Sequence, residues 1–121
     1  MGHERRDLGA RGESLASGYL VGLGWEILDR NWRCPEGEID IVARDPDQVV
    51  VICEVKTRSG RGFGTPLEAI THQKARRLRR LAAAWVRTHD GPVPAVRIDA
   101  IGVLFGRDDT AAVEHLRGIE P

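Results

Sequence analysis

The run Val49-Val50-Val51-Ile52-Cys53, followed at once by Glu54, Val55 and Lys56, constrains this chain more than any other stretch. It is apolar at both phases of a strand's two-residue alternation. Val49, Val51 and Cys53 lie on one phase, Val50 and Ile52 on the other. A strand buried on both faces belongs in the middle of a covered sheet. Residues two apart on a strand point the same way, so Glu54 and Lys56 share a face. A carboxylate and an ammonium at the end of so apolar a strand must be paired or must bind something.

The flanking patterns supply the cover. Residues 7–22 place Leu8, Leu15, Ala16, Tyr19 and Leu20 at helical spacing, with Asp7 as N-cap and Gly22 and Gly24 as stops. Residues 25–33 alternate as a strand, CPEG turns the chain, and 38–45 form a second strand. DPDQ turns it again into the third strand, residues 49–57. Short turns join antiparallel neighbours, so these three strands form a meander. After the loop RSGRGFG, the signal Thr65-Pro66-Leu67-Glu68 predicts a helix over 66–88, with Thr65 as N-cap and Glu68 closing a capping box. Leu67, Ile70, Leu78, Leu81, Ala82, Trp85 and Val86 form its apolar stripe. Residues 95–105 read as a fourth strand, and a short polar tail with Val113, Leu116 and Ile119 follows. The expectation is one α/β domain over residues 1–121. Its order is α-β-β-β-α-β, with a mixed central sheet and helices on both faces in three layers.

Composition narrows the class. With 41% hydrophobic and 30% charged residues the chain is ordinary globular material rather than disordered. No apolar stretch approaches the roughly 20 residues of a membrane-spanning helix, and residues 1–9 lack the apolar core of a signal peptide. A cytoplasmic protein without a membrane partner is expected. Cys34 and Cys53 lie far apart without CxxC spacing, as packed, reduced thiols would.

Formal net charge is zero, but its distribution is uneven. From Lys56 to Arg87 run Lys56, Arg58, Arg61, Lys74, Arg76, Arg77, Arg79, Arg80 and Arg87, against the single acid Glu68. A local basic field of this kind suits a phosphate backbone. A solvated helix face in an Arg-rich chain explains it equally well. Lys56 and Lys74 are the only lysines beside 16 arginines. Lysine is the compact charge that burial can tune and that can orient a water.

The acids converge on the same place. Glu38 and Asp40 share a face of the second strand, and the turn at 45–48 brings Asp40 across from Glu54. Two carboxylates in a low dielectric repel, and one takes up a proton unless a cation lies between them. Hard oxygen donors without His or Cys select Mg²⁺ or Mn²⁺ rather than zinc. The plainer alternative is a buried Glu–Lys or Asp–Lys ion pair, which rarely outdoes apolar packing. Glu13 lies at the border of the first helix's apolar face. His72 reads as surface, Trp25, Trp32 and Trp85 as packing, and Arg97 with Asp99 as a structural pair.

A carboxylate on one strand and Glu-x-Lys on the next, after a helix carrying another Glu, resembles the PD-(D/E)XK nuclease superfamily. More closely, GE at 12–13, GEIDIVARD at 37–45, EVKTR at 54–58, GTPLEAITHQK at 64–74 and RIDAI at 97–101 resemble the YraN-like family, which has been grouped with endonucleases and Holliday junction resolvases. The resemblance spans residues 5–117 and implies a restriction endonuclease-like fold. It implies Asp40 and Glu54 as ligands of Mg²⁺ or Mn²⁺, with the Val55 carbonyl as a further ligand. It makes Lys56 the catalytic lysine and Glu13 the helix carboxylate of the resolvase-like branch, and it matches Gln73 or Lys74 to polar residues of the following helix. Ile39 stands where the superfamily name has Pro. The implied activity is metal-dependent cleavage of phosphodiester bonds, leaving a 5′-phosphate, in DNA that is branched or otherwise structured. Arg58, Arg61 and the Arg-rich helix, Arg77 and Arg80 included, would hold the backbone without reading bases. The loop GRGFG suits a phosphate cradle or, more simply, a connector. The alternative function is a nucleic-acid-binding or partner-binding module that cleaves nothing. The polar edge DRNW leaves room for a homodimer.

Overall fold

Ten residues from Val50 to Ser59 form the third strand, β3, of a five-stranded sheet in the order β1-β2-β3-β4-β5. The computed structural model describes residues 2–60, 66–108 and 110–119. The other strands are β1 (Glu26–Cys34), β2 (Gly37–Arg44), β4 (Val96–Phe105) and β5 (Ala111–Leu116). β1 and β2 pair antiparallel, as do β2 and β3. β4 runs parallel to β3, with Val50 opposite Val96 and Ser59 opposite Phe105, and β5 returns antiparallel along β4. The sheet is therefore mixed, and the protein is an α/β protein whose α-helices among the described residues are α1 (Gly2–Gly22) and α2 (His72–Thr88).

The two phases of β3 feed two separate cores. Val51, Cys53 and Val55 pack with Ala16 and Leu20 of α1, with Ile41 and Ala43 of β2, and with Ile101 and Val103 of β4. Val50 and Ile52 pack with Leu78, Leu81 and Trp85 of α2 and with Ile98. All five of the apolar residues Val50–Cys53 and Ile41 are fully buried. At about 25 cal/mol per Å² of apolar area this double burial fixes the register of β3 more firmly than any hydrogen bond could.

α1 ends at a left-handed Gly24 (φ 86°). Trp25 N–H donates to Leu20 C=O and Gly24 N–H to Val21 C=O, the paired bonds of a Schellman cap. The second helix departs from expectation. Pro66–Ala69 form one 3₁₀ turn, and α2 begins only at His72, where the Thr71 side chain accepts the Lys74 N–H at 3.2 Å. Two capping signals compete here, and packing chooses the later. Pro66 and Leu67 lie so close to β4 that a Cβ on Gly102 would stand 3.1 Å from each. Thr65 lies outside the described residues.

The expected polar tail is also corrected: it contains the edge strand β5. Its hairpin closes through Gly106 N–H to Thr110 C=O at 2.7 Å. The inward positions of β5 are Val113 and His115, and a histidine does not announce an inward face. Among the described residues no helix is long and apolar enough to cross a membrane.

Candidate functional site

The β2–β3 ladder runs from Arg44 opposite Val50 to Ile41 opposite Cys53 and stops there. Asp40 and Glu54 stand at the point where the two strands part. Val55 N–H, deprived of a strand partner, donates instead to Asp40 Oδ2 at 2.8 Å. The carboxylate thereby replaces a carbonyl in the ladder, which pins it beside Glu54.

The charges around this split are unbalanced. Burial pushes the Glu54 carboxyl up, and the hydrogen-bonded, like-charged Asp40 pushes it further, to about 8. Lys56 and Lys74 pull in the other direction and do not prevail. Lys56 Nζ lies 4.0 Å from Glu54, their side chains 27% and 17% exposed, so the pair is a loose contact at a buried carboxylate. Lys74, from the first turn of α2, meets Lys56 and is held below its ordinary value by that second ammonium and then by partial burial. Glu38, Asp40, Glu54, Lys56, Lys74 and Arg77 line one cleft of about 280 Å³. A larger concavity, about 810 Å³ at the β4–β5 turn, is lined chiefly by Gly, Ala, Leu104 and Phe105 and brings no comparable cluster together.

Glu13 approaches from the α1 side, in a neighbouring cleft of about 610 Å³ that shares Lys56 with the first. Burial raises its carboxyl, Asp40 raises it further, and a hydrogen bond from Asn31 opposes them. Its depth depends on Gly12, because a Cβ there would collide with Thr57 Oγ1 of β3. Only glycine lets α1 lie this close to the strand.

The remaining anticipated residues fall around the rim. Arg58 is exposed near the end of β3 and lines the Glu13 cleft. Gln73 and Arg80 are exposed on α2. Arg77 lays its guanidinium over the β1–β2 turn, where a Cβ on Gly37 would meet Arg77 Nη2 at 2.7 Å. Arg61 and most of the loop GRGFG lie outside the described residues. His72 is exposed, while Trp25 and Trp85 are buried in the cores. Both cysteines are free, and burial pushes the Cys53 thiol far up. Among the described residues no three His, Cys, Asp or Glu side chains converge in metal-ligating geometry. The acidic donors drawn together are the pair Asp40 and Glu54.

Sequence reasoning anticipated Arg97 with Asp99 but not the network around them. Asp99 is fully buried. It accepts from Arg97 Nε at 2.8 Å, Arg97 Nη2 at 3.1 Å and Gly118 N–H at 3.0 Å. His115 Nε2 lies 2.8 Å from its other side, and His115 Nδ1 lies 3.0 Å from the Tyr19 hydroxyl. Arg97 also reaches Asp45 at 3.2 Å. Burial would raise Asp99, but the bonds from His115, Arg97 and Gly118 outweigh it and hold the carboxyl below its ordinary range.

A mixed α/β domain carrying a carboxylate–lysine cleft where its sheet divides is the class that these elements define. Within that class, the chain belongs to the uncharacterised protein family UPF0102, the YraN-like family, whose model matches residues 12–103. It is 52% identical over 115 residues to a UPF0102 protein of Nocardioides sp. strain JS614, covering 95% of this chain and 92% of that one. It is 54% identical over 117 residues to a UPF0102 protein of Streptomyces coelicolor, covering 95% and 89%. A UPF0102 protein of Arthrobacter sp. strain FB24 is 54% identical over 112 residues, covering 93% and 94%.

Proposed function

We propose that this protein is a divalent-metal-dependent endonuclease that hydrolyses phosphodiester bonds in DNA, on a three-layer restriction endonuclease-like fold. The observation that carries the proposal is the Asp40 carboxylate set into the β2–β3 split against a Glu54 that stays raised to about 8 despite two lysines. Two core clusters, one with each helix, support the layered fold.

The donor set fits a hard cation. It offers carboxylate oxygens, with no imidazole or thiolate in the cleft, and the family resemblance adds the Val55 carbonyl. Asp40 and Glu54 would hold Mg²⁺ or Mn²⁺. When bound, such an ion supplies Lewis-acid polarisation of a phosphoryl oxygen and a more acidic water. The protein's own groups do the rest. Asp40 is fixed by Val55 N–H, so its carboxylate is held at the cleft beside Glu54 without conformational search. Lys56, beside Glu54, orients the attacking water and offsets the charge that builds on the phosphorus oxygens. Lys74 holds a second positive charge against Lys56, a conflict that an incoming phosphate relieves. Arg58, Arg77 and Arg80 line the approach and grip the backbone.

Incubating the purified protein with branched and single-stranded DNA in Mg²⁺, beside Lys56→Ala and Asp40→Ala, tests this directly. Cleavage by the wild type and loss of at least a hundredfold in both variants is expected. Equal cleavage by all three would identify a contaminant and remove the assignment. One observation favours a second function, a nucleic-acid-binding module that cleaves nothing. Lys56 and Lys74 already bring two ammoniums to Glu54, a cluster able to grip phosphate without a metal. DNA binding undiminished by chelator, with no cleavage in Mg²⁺ or Mn²⁺, would select it.

A further inference from the structure

The sheet has two outer edges, and the chain treats them differently. Unpaired N–H and C=O groups along an edge invite another strand, so an edge that must stay single is blunted by bulges, bends or charge. β1 has all of these. Its register slips between Ile27 and Asp29, Asn31 takes a left-handed backbone (φ 53°), and Arg30 and Arg33 stand exposed. β5, the outer strand on the other side, has none of them. Its pairing with β4 is unbroken from Leu116 opposite Ala100 to Ala111 opposite Phe105, and it contains no proline, lysine or arginine.

Two apolar features lie along the same edge. Leu116 is 49% exposed, a large hydrophobic side chain left in water. At the other end of β5, the concavity of about 810 Å³ has Leu104, Ala111 and Ala112 in its walls. Ala112 pairs with Leu104 and lies two alternations from Leu116, so all three share one face of the sheet. Val113, on the opposite face, is only partly buried against the α1 core. A knob at one end of a strand and a hollow at the other become complementary when two copies of that strand run antiparallel.

Side-chain chemistry selects the register. Side chains paired across antiparallel strands share a face, so a two-fold pairing of β5 with itself must centre on one residue. Centring on Glu114 sets two carboxylates directly opposite each other, which is destabilising. Centring on Ala112 sets the apolar Leu116 against Asp108. Centring on His115 brings together two imidazoles already committed to Asp99 and Tyr19, and leaves the alanines without a partner. Centring on Val113 avoids all three. Val113 then meets Val113, a β-branched pair that completes the burial of that side chain, and Ala112 meets Glu114. Leu116 comes level with Thr110 of the second copy, where Thr110, Leu104 and Ala112 line the hollow.

We propose that β5 is the docking edge for a second copy of this chain: the two β5 strands pair antiparallel about Val113, join two five-stranded sheets into one, and seat each Leu116 in the other copy's hollow. The contact is isologous, so every feature is used twice and the assembly closes at two chains. It places the expected homodimer on β5 rather than on the blunted β1. It depends on neither the metal nor the DNA of the reading above, because no β5 residue lines the Asp40–Glu54 cleft.

Sedimentation of the full-length protein and a cross-link test it together. The mass of the wild type should rise toward two chains with concentration. Leu116→Glu should weaken association at least tenfold, since a charge replaces the side chain that fills the hollow. Leu116 is half exposed in the single chain, so folding should tolerate the change, and circular dichroism checks that it does. Cys34→Ser removes the one thiol that is not fully buried. In that background Val113→Cys should form an intermolecular disulfide on mild oxidation, because directly opposed residues have Cα atoms about 4.5–5.5 Å apart. Glu114→Cys, displaced along the strand from its own copy, should not. A wild type that sediments as one chain up to roughly 0.5 mM would overturn the proposal. So would a dimer that survives Leu116→Glu, or one that Val113→Cys fails to link.

Discussion

Replacing Glu54 with glutamine should stabilise the metal-free protein while it removes a ligand of the proposed metal site. Burial and Asp40 raise this carboxyl from 4.5 to about 8. A carboxyl with a raised folded value contributes its full share below the unfolded value and loses it as pH rises through the folded one. The window therefore opens near pH 4.5 and closes near pH 8. One pH unit of difference is worth about 1.4 kcal/mol, so by pH 7 the wild type has lost about 3 kcal/mol relative to acid. Water at the rim of the cleft trims this to about 2–3 kcal/mol. Glutamine resembles the protonated side chain and does not ionise. Urea unfolding in EDTA should find Glu54→Gln and wild type equal near pH 4. The variant should pull ahead steadily to about 2–3 kcal/mol at pH 7.5. Saturating Mg²⁺ should reverse the order, because an ion at about 1,000 times its Kd stabilises the wild type by about 4.1 kcal/mol and the variant by far less. A gap that does not change with pH, or a variant less stable than wild type at pH 8 without metal, would refute the argument that Asp40 and Glu54 oppose each other.

Gly12→Ala would drive a methyl group into Thr57 Oγ1. A loss of about 1–3 kcal/mol in urea is expected, partly restored by Thr57→Ala. Asp99→Ala strands Arg97 and His115 around an empty position, and chemical denaturation should show a loss of about 3–5 kcal/mol. Because Asp99 is held below 3.8, its contribution is present above that pH and lost as pH falls through the lower folded value. Asp99→Asn should accordingly differ least from wild type in strong acid. Arg80→Ala, on the exposed face of α2, should lower the slope of log affinity for DNA against log salt by about one, equally for every sequence, and leave Mn²⁺ uptake unchanged.

Much of the site was legible because strands enforce alternation. Once β3 was read as doubly buried, Glu54 and Lys56 had to share a face, and a tight 45–48 turn had to bring Asp40 opposite. What the alternation rule cannot see is where it breaks. Asn31 breaks it by a left-handed backbone, so the side of the sheet that its side chain takes does not follow from spacing. The strand β5 was hidden for a related reason: one of its inward residues is His115, whose partners Asp99 and Tyr19 are distant in sequence. The start of α2 was misplaced because the Thr-Pro-Leu-Glu signal at 65–68 reads as a helix start, whereas Pro66 and Leu67 pack against β4 in a 3₁₀ turn and the cap is made at Thr71.

Asp99 and Glu54 show why the unbalanced cluster, rather than the most buried one, marks function. They lie one step apart on neighbouring strands, since Asp99 pairs with Cys53 and Glu54 with Ala100. One faces the α1 core and the other the α2 cleft. Asp99 is surrounded by Arg97, His115 and a backbone N–H, and its carboxyl sinks below the ordinary range. This chain can therefore satisfy a buried carboxylate completely when the fold alone requires it. Glu54 receives the opposite treatment: a second carboxylate is fixed against it by a backbone hydrogen bond, and the lysines nearby leave it raised. A structural ion pair would be stabilised by removing Asp40 from Glu54's side, and nothing in the packing of β2 requires an acid there, because Ile39 and Ile41 already fill the two cores. Strain of this sort, concentrated where the ladder opens, is the expected signature of a site completed by something the polypeptide does not supply.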